Sequence, residues 1–435
     1  MKRLIKGLGV GLIAVTLIAS AKNPTLTIDK AVELALTHSP DIDISRFDFQ
    51  GAMERSKFQK GYYLPRLDMG AMAGKVSATF KEEVTPSSSS LILGTLSASQ
   101  LLYDFGKTSG RIAAAGKEAN AYQAAMNQII SRKILTIKSR YYDALKMRSI
   151  INVNHKNIEL QKGQLRRAQR YYDSGIKTII DVSDAQVRLT QAKLDLSNSE
   201  YELKLRLALL EEAMGYTPYS GHYDLYHKES GANIEKMSRR LPVIKTSLAQ
   251  LEGFAYDHRY ELQSSKYLVE GSQSIVESEK GDYLPTLSLK GNYTAQKVND
   301  DFVNFVPERQ WQGGVDLKWN LFRGLQTDAS VQEAKIAAMK AASRVEEVRL
   351  MIKRQVTESR LQVMRAKDAV TLSRSIAKAS EKKFDQARKR YENDLSDYIE
   401  YQEAQQGYIR SLGELVISYY DYYIAIAQLD FSVGR

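Results

Sequence analysis

Two pairs of carboxylates are the residues of this sequence whose type and spacing could do chemistry. Asp181 and Asp184 lie three residues apart, and Glu400 and Glu403 repeat that spacing about 220 residues later. Residues three apart share one face of a helix, so each pair would present its two carboxylates together. Repeated around a symmetry axis, such carboxylates form rings that bind cations and exclude anions from a pore. The alternative is that they are only first-turn acids of two helices, a position that the helix dipole favours.

Other kinds of chemistry have little support in the sequence. The chain contains no cysteine, which removes disulfides, thiolate metal sites and cysteine nucleophiles together. It has no P-loop, no Gly-x-Ser-x-Gly elbow and no His-Glu-x-x-His motif. His38 and His258 are repeat equivalents and are interpreted as structural, while His222 and His227, in a Tyr-rich segment, are the alternative for a metal site. We therefore expect no catalytic residue, no cofactor and no metal, and a secreted enzyme would lack a catalytic constellation.

The composition of the 435-residue chain excludes several classes of protein. With 26% charged and 43% hydrophobic residues, it is neither a disordered chain nor a polytopic helical membrane protein. The formal charge of +11 arises from 62 Lys+Arg and 51 Asp+Glu, which are interleaved along the chain. Because nucleic-acid-binding tails gather their basic residues into blocks, we expect no nucleic-acid partner.

Residues 1–21 have the three parts of a secretory signal peptide. Three basic residues begin the segment, an apolar run of about a dozen residues follows, and small residues form a cleavage site after Ala21. An uncleaved anchor is the alternative, but the run is shorter than the ~20 residues that cross a bilayer as a helix. The mature chain is therefore expected to be exported.

The mature chain consists of two similar units. The segment GYYLPRL at 61–67 recurs as GDYLPTL at 281–287, and an offset of about 220 residues holds across nearly the whole chain. Chance similarity would not keep register over that distance. The pattern predicts an internal twofold repeat, with units over 22–215 and 245–435 joined by an equatorial connector over 216–244.

Each unit contains a long stretch without proline, over 87–217 and 308–435. Proline costs a helix interior about 3 kcal/mol, so long helices can run in these stretches. Apolar residues there recur about every 3.5 positions, which indicates coiled-coil packing. In the last helix this seam is expected at Tyr408, Leu412, Leu415, Tyr419, Tyr422, Ile426 and Leu429.

The periodicity and the turn residues predict a long helix, a tip turn and a returning helix in each unit. The expected ranges are about 107–172, 173–180 and 181–214 in the first unit, and 325–392, 393–396 and 397–430 in the second. A helix of about 66 residues is about 100 Å long, which no compact domain accommodates. We expect a rod or a tube.

Between the leading helix and the long helix, each unit changes to a period of two. Alternation of apolar and polar residues predicts hairpins over about 66–104 and 285–322, four strands in all. Four strands could form a small sheet packed on another element, or part of an outer-membrane barrel. Such a barrel needs at least eight strands, so three chains together would supply twelve. Trp311 and Trp319, in or beside the last strand, would fit an aromatic girdle at the membrane interface.

The order of these elements resembles the TolC family of outer-membrane efflux proteins, also called outer-membrane factors. The resemblance rests on LTIDKAVELALTHSPDI at 26–42, on the two GYYLPRL-like segments, and on RYYDSGIKTIIDVSDAQ at 170–186, in duplicated order over about 25–434. It implies a mostly α fold with a small β part. Long coiled-coil helices would form a helical barrel, and four strands per chain would join a trimeric twelve-strand outer-membrane barrel. Such proteins contact outer-membrane lipid and extend into the periplasm of a Gram-negative-type cell.

The resemblance also implies a function. The family forms homotrimeric channels that act as the passive exit duct of tripartite efflux or type I secretion systems, and that meet an inner-membrane pump through a periplasmic adaptor protein. The family's acidic ring corresponds to Glu400 and Glu403, and its tip tyrosine to Tyr171 and Tyr391. The residues that would contact the adaptor lie in the two tip turns and are Gly175, Ile176, Lys177, Leu395 and Ser396.

A second reading of the sequence is a periplasmic coiled-coil structural or adaptor protein that does not enter a membrane. An adaptor would carry lipoyl-like and barrel domains after one hairpin, whereas this chain has two complete copies of its pattern. The cargo of the duct is not specified by the sequence, because a wide passage makes few specific contacts.

Overall fold

The computed structural model describes most of the chain. The described residues are 25–78, 87–176, 178–221, 223–226, 234–299, 308–393 and 395–435. The expected signal peptide at 1–21, the metal candidates His222 and His227, and Lys177 of the first tip turn lie outside these ranges.

The chain follows one pattern twice, as the sequence predicts. The first copy comprises β1 (Thr25–Leu26), α1 (Ile28–His38), α2 (Pro40–Gly61), β2 (Arg66–Ala78), β3 (Ser87–Tyr103), α3 (Lys107–Asp173) and α4 (Ile179–Met214). The connector holds β4 (Asp224–Leu225) and α5 (Ile234–Met237). The second copy comprises α6 (Leu248–His258), α7 (Tyr260–Lys280), β5 (Thr286–Asn299), β6 (Arg309–Lys318), α8 (Gln326–Glu392) and α9 (Tyr398–Val433). The expected class, mostly α with a small β part, is confirmed.

The two long helices give the molecule its length. Both α3 and α8 contain 67 residues, so each is about 100 Å long. Each packs along its own returning helix, α3 on α4 and α8 on α9, and α3 also packs on α7 and α9. No helix within the described ranges is both long and apolar enough to cross a membrane.

The seam of α9 differs in part from the seam that its apolar residues predict. The large residues Tyr408, Leu415 and Tyr422 are buried as expected, but Leu412 and Ile426 are only half-buried. Between the large residues, the helix buries small ones at Ala404, Ser411, Ser418, Ala425 and Ser432. Each buried serine satisfies its hydroxyl by donating to the carbonyl three residues earlier, at 2.8–3.0 Å. Alternating large and small side chains allow close packing of helices, which hydrophobicity alone does not reveal.

The two returning helices end in the same way. Gly215 and Gly434 follow α4 and α9 with φ of 84° and 85°, in the left-handed region that favours glycine. A Cβ at Gly215 would collide with the carbonyl of His38, and a Cβ at Gly434 would press on the carbonyl of His258. These contacts join the leading helices α1 and α6 to the ends of the returning helices.

A short parallel strand pair, β1 with β4, joins the segment before α1 to the connector between the repeats. The hydroxyl of Tyr141, buried in α3, donates to the carbonyl of Leu26 at 2.8 Å and also contacts the carbonyl of Tyr226. The Tyr141 side chain of the long helix therefore contacts both β1 and the connector between the repeats.

The four long strands form one antiparallel sheet in the order β2-β3-β5-β6. Directly opposed residues share a face, and successive residues alternate between faces. One face carries polar residues such as Asp68, Ser97, Asn292 and Gln312, and the other carries mostly apolar ones such as Met69, Leu96, Tyr293 and Trp311. The sheet does not close on itself within one chain, so β2 and β6 are its edges.

Candidate tip gate and ion-binding residues

The first tip turn is built by a glycine that ends the long helix. Gly175 has a φ of 72°, in the left-handed region that favours glycine at the end of a helix. Its N–H donates to the carbonyl of Tyr172 at 2.9 Å, and the N–H of Ile176 donates to the carbonyl of Tyr171 at 2.8 Å. These bonds satisfy carbonyls that the end of a helix would leave open, and they reverse the chain into α4.

Asp181 is engaged in capping α4. Its Oδ2 accepts from the backbone N–H of Thr178 at 3.0 Å and from the Thr178 hydroxyl at 2.9 Å. These bonds, together with the contact between the Asp181 backbone N–H and the Thr178 side chain, form a capping box, so this acid caps the first turn of α4. Asp184, nearly one turn further on, is exposed.

The second tip turn uses its acids differently. Asp397 caps α9 by accepting from the N–H of Glu400 at 2.8 Å. The carboxylate of Glu400 pairs with Arg390 at 3.2 Å, and Arg390 also donates to the carbonyl of Leu395 at 3.3 Å. Glu403 is exposed. In both copies the acid nearer the turn is engaged within the chain, and the next acid faces solvent.

Arg167 joins the tips of the two helical hairpins. On its own helix α3, its Nη2 donates to the Tyr171 hydroxyl at 2.9 Å. Across to α8, the same nitrogen donates to the Tyr391 carbonyl at 3.0 Å, and the guanidinium carbon lies 4.3 Å from the centre of the Tyr391 ring. The guanidinium is also 5.2 Å from the Tyr171 ring. The structure thus brings both sequence-predicted tip tyrosines onto one arginine.

An aromatic cluster continues the contact between the hairpins. The rings of Tyr391 and Tyr401 stack at 5.2 Å, and the Tyr401 hydroxyl accepts from Gln164 of α3 at 2.8 Å. Further along, Lys156 of α3 donates to the hydroxyl of Tyr408 in α9 at 2.6 Å. A cavity of about 20 Å³ beside this cluster, large enough for one water molecule, is lined by Gln164, Ala168, Tyr171, Asp181, Ala185, Tyr391 and Tyr398.

Burial favours the protonated form of three hydroxyls in this cluster, those of Tyr391, Tyr398 and Tyr401. It raises the pKa of Tyr401 to about 12 and also raises the pKa of Tyr391 and Tyr398. The negative charge of Asp181 acts in the same direction on Tyr391 and Tyr398. At neutral pH the cluster therefore adds no charge of its own, and the cation of Arg167 faces aromatic rings and neutral oxygens.

Both tip turns carry exposed apolar side chains. Ile176 and Leu395, expected to contact an adaptor, are 67% and 69% exposed, and Gly175 lies beside Ile176. Ser396 is half-buried. The apolar surface extends into the first turns of the returning helices at Ile179, Ile180 and Ile399. Exposed apolar patches of this kind mark interaction sites.

The far end of the molecule carries the predicted membrane-interface aromatics. Trp311 lies in β6 opposite Tyr293 and is 80% exposed. Trp319 follows β6, and its indole N–H donates to the carbonyl of Tyr283 at 3.0 Å. Further exposed aromatic residues gather where the strands meet the helices, at Tyr62, Tyr63, Tyr103, Phe105, Tyr283 and Phe322. Trp319 therefore belongs to an aromatic band around the foot of the sheet, while Trp311 lies above it on the apolar face.

Three polar residues of the tip were missed from the sequence. Arg167 has a local signal, because it lies four residues before Tyr171 on the same helix face. Gln164 and Arg390 have none that separates them from many other polar residues of the long helices. The partner of Gln164, Tyr401, lies 237 residues away, and those of Arg390 lie across the tip turn, so only the folded structure identifies these contacts.

Solved outer-membrane channels share this fold at low sequence identity. The chain is 18% identical to the outer-membrane channel OprN, with 94% of this chain and 89% of that chain covered and a TM-score of 0.78. For the Campylobacter jejuni CmeC outer membrane channel, the identity is 14%, the coverage 99% and 94%, and the TM-score 0.79. For the outer membrane protein VceC of Vibrio cholerae, the identity is 15%, the coverage 94% and 96%, and the TM-score 0.76. No curated protein sequence matches the chain.

The fold, with two helical hairpins below a four-stranded sheet, is therefore the one these solved outer-membrane proteins have. The model of the outer membrane efflux protein family matches residues 31–216 and 255–435, one match in each repeat. The chain belongs to that family.

Proposed function

We propose that three copies of this chain form an outer-membrane channel that is the passive exit duct of a tripartite efflux or type I secretion system. The observation that carries the proposal is the sheet, which has one apolar face, one polar face and two edge strands. In lipid every backbone polar group needs a partner, so an open sheet must close with other strands. Four strands from each of three chains make twelve, within the range of outer-membrane barrels.

In the assembled channel, the helices would form a tunnel in the periplasm that is gated at the two tip turns. The contacts of Arg167 with Tyr171 and Tyr391 hold the hairpins of one chain together and support a closed tip. An inner-membrane pump would supply the energy, and its periplasmic adaptor would dock on the exposed apolar residues Ile176 and Leu395. Residues 1–21 would direct export and be removed after Ala21, which N-terminal sequencing of the mature protein tests.

The test of this assembly is electron microscopy of the detergent-extracted protein. We expect threefold class averages of a tube about 130–140 Å long, the sum of about 100 Å of helix and a barrel that spans the membrane. A detergent-independent particle without threefold symmetry would instead favour a periplasmic coiled-coil protein.

Within this channel, we propose that Glu403 and Asp184 supply the solvent-facing part of a cation-binding constriction. Glu400 and Asp181 would lie beside them, with their charges partly compensated by Arg390 and by the cap of α4. Rings of carboxylates concentrate cations in a pore.

The double variant Glu400→Gln with Glu403→Gln tests the constriction in planar bilayers. We expect a weaker cation preference and a weaker block by multivalent cations. Glu414→Gln, which removes one exposed acid of α9 about three turns beyond Glu403, is the matched control. Unchanged ion selectivity in the double variant would remove these acids from the constriction.

A further inference from the structure

Basic side chains on the apolar face of the sheet gather at one end. Lys75 of β2, Lys297 of β5 and Arg309 of β6 are exposed and lie on the same face as Met69 and Trp311. The register shows this, because Lys75 is opposite Ser90, Lys297 is opposite Ile92, and Arg309 is opposite Ala295. All three lie toward the hairpin ends, away from the long helices.

The two faces of the sheet differ in whether their basic residues have acidic partners. The described residues of the four-stranded sheet include two acids, Asp68 and Asp316, and both lie on the polar face. There they pair with basic partners, Asp68 with Arg66 at 2.8 Å and Asp316 with Lys290 at 2.7 Å. The apolar face has no acid among the described strand residues, so its three cations form no pair within the sheet.

The three cations lie on a line that crosses the strands obliquely. In a barrel whose strands tilt by the same angle, this line runs around the barrel at one height. From Lys75 to Arg309 the line crosses three strand spacings, about 14 Å, and descends four residues, about 13 Å. Its slope is therefore about 43°, within the strand tilt of about 35–45° found in outer-membrane barrels. The lower ends of the edge strands have the same offset, since Arg66 is level with Lys290 and Lys318 is level with Thr286, four residues lower.

From this geometry we infer that Lys75, Lys297 and Arg309 form a belt on the outside of the barrel that binds phosphorylated lipid head groups of the outer leaflet. The inference rests on the proposed function, because it needs the apolar face to meet lipid. Below the belt, apolar residues face the hydrocarbon, and at the belt cations meet the level of the head groups. Basic residues at a membrane surface attract anionic lipid, and their guanidinium and ammonium groups bind phosphate.

The test measures lipid retention by the assembled protein. Purified protein is placed in phosphatidylcholine nanodiscs with and without diphosphorylated lipid A, and retained lipid is counted by native mass spectrometry. The triple variant Lys75→Gln, Lys297→Gln, Arg309→Gln should retain lipid A about 100-fold more weakly, since each basic residue contributes about five-fold. The charge-matched control removes the polar-face cations through Arg66→Gln, Lys290→Gln and Lys318→Gln, and should retain lipid A as the unmodified protein does.

Two further variants and one competitor complete the test. The swap Lys75→Arg, Lys297→Arg, Arg309→Lys keeps the charges and should restore retention. Equal retention in the triple variant and the unmodified protein would overturn the inference. Displacement of lipid A by inorganic phosphate at equal concentration would also overturn it, because the site would then recognise free phosphate. Conductance in phosphatidylcholine bilayers tests the channel separately, since a protein that does not conduct there fails the proposed function.

Discussion

Replacing Arg167 by Met tests whether one side chain holds the tips of the two hairpins together. Methionine keeps a long apolar stem but removes the charge and all donors of the guanidinium. The contacts with Tyr171 are internal to α3 and do not join hairpins. Those that join α3 to α8 are the 3.0 Å bond to the Tyr391 carbonyl and the 4.3 Å contact with the Tyr391 ring.

The magnitude follows from these two cross-hairpin contacts. A hydrogen bond from a charged donor contributes about 1.5–3 kcal/mol, and the half-buried position of Arg167 places it at the lower end. The cation–π contact adds about 0.5–1 kcal/mol. The closed contact should weaken by about 2–3 kcal/mol per chain, a factor of about 30 to 150 in the balance between joined and separated tips.

Single-channel recording in planar bilayers measures the result. Arg167→Met should spend more time in high-conductance states than the unmodified channel, and Arg167→Lys should lie between them because an ammonium lacks the planar fork. Arg166→Met is the matched control, since Arg166 is the exposed neighbour on the same helix. If Arg167→Met and Arg166→Met conduct alike and melt at the same temperature, the contacts of Arg167 with Tyr391 contribute nothing to closure.

Three further predictions concern stability. Gly215→Ala should lower the free energy of unfolding by at least about 3 kcal/mol, because alanine is strained at a φ of 84° and its Cβ meets the His38 carbonyl. The control Gly163→Ala places its Cβ in open space on α3 and should not have this effect. Equal melting curves for the two variants would contradict this account. Arg259→Met should cost about 3 kcal/mol, because it removes a buried guanidinium that pairs with the half-buried carboxylate of Glu261 at 2.7 Å and donates to the Ser432 carbonyl at 2.8 Å, and an unchanged thermal midpoint would refute it. Burial raises the pKa of Tyr401 to about 12, above its unfolded value near 10. The contribution of its protonated hydroxyl to the free energy of unfolding is therefore complete below pH 10 and is lost as the pH rises toward 12. A Tyr401→Phe variant should therefore lose less stability than the unmodified protein over that interval in alkaline thermal scans, and parallel curves would show that this hydroxyl does not titrate there.

Local patterns in the sequence indicated the long helices and the four long strands, but not the division of each leading segment into two helices. The long helices expected at about 107–172 and 325–392 lie at Lys107–Asp173 and Gln326–Glu392. Proline-free stretches and a turn glycine define such ends, and both act through the backbone of a few neighbouring residues. The twofold repeat and the four strands were likewise visible, because similarity at a fixed offset and alternation are properties of the chain itself.

Side-chain packing was predicted less well. In α9 the apolar residues Leu412 and Ile426 suggested the seam, but the structure buries Ser411 and Ala425 instead. Whether a small residue is buried depends on how closely the neighbouring helix approaches, and hydrophobicity does not report that distance.

The acids of the tip show most clearly what the sequence by itself determined and what only the tertiary structure decided. Their type, spacing and place at the start of the returning helices were readable from the chain. The partners of these acids were not readable, since Glu400 pairs with Arg390 across a turn. The same is true of the contact between Arg167 and Tyr391, which are 224 residues apart. Helix periodicity acts over three or four neighbours along the chain, whereas charge pairing and stacking require two segments to lie within a few ångströms. For Arg390 and Glu400 that proximity exists once the second hairpin has folded, and for Arg167 and Tyr391 it exists only once both hairpins have packed against each other.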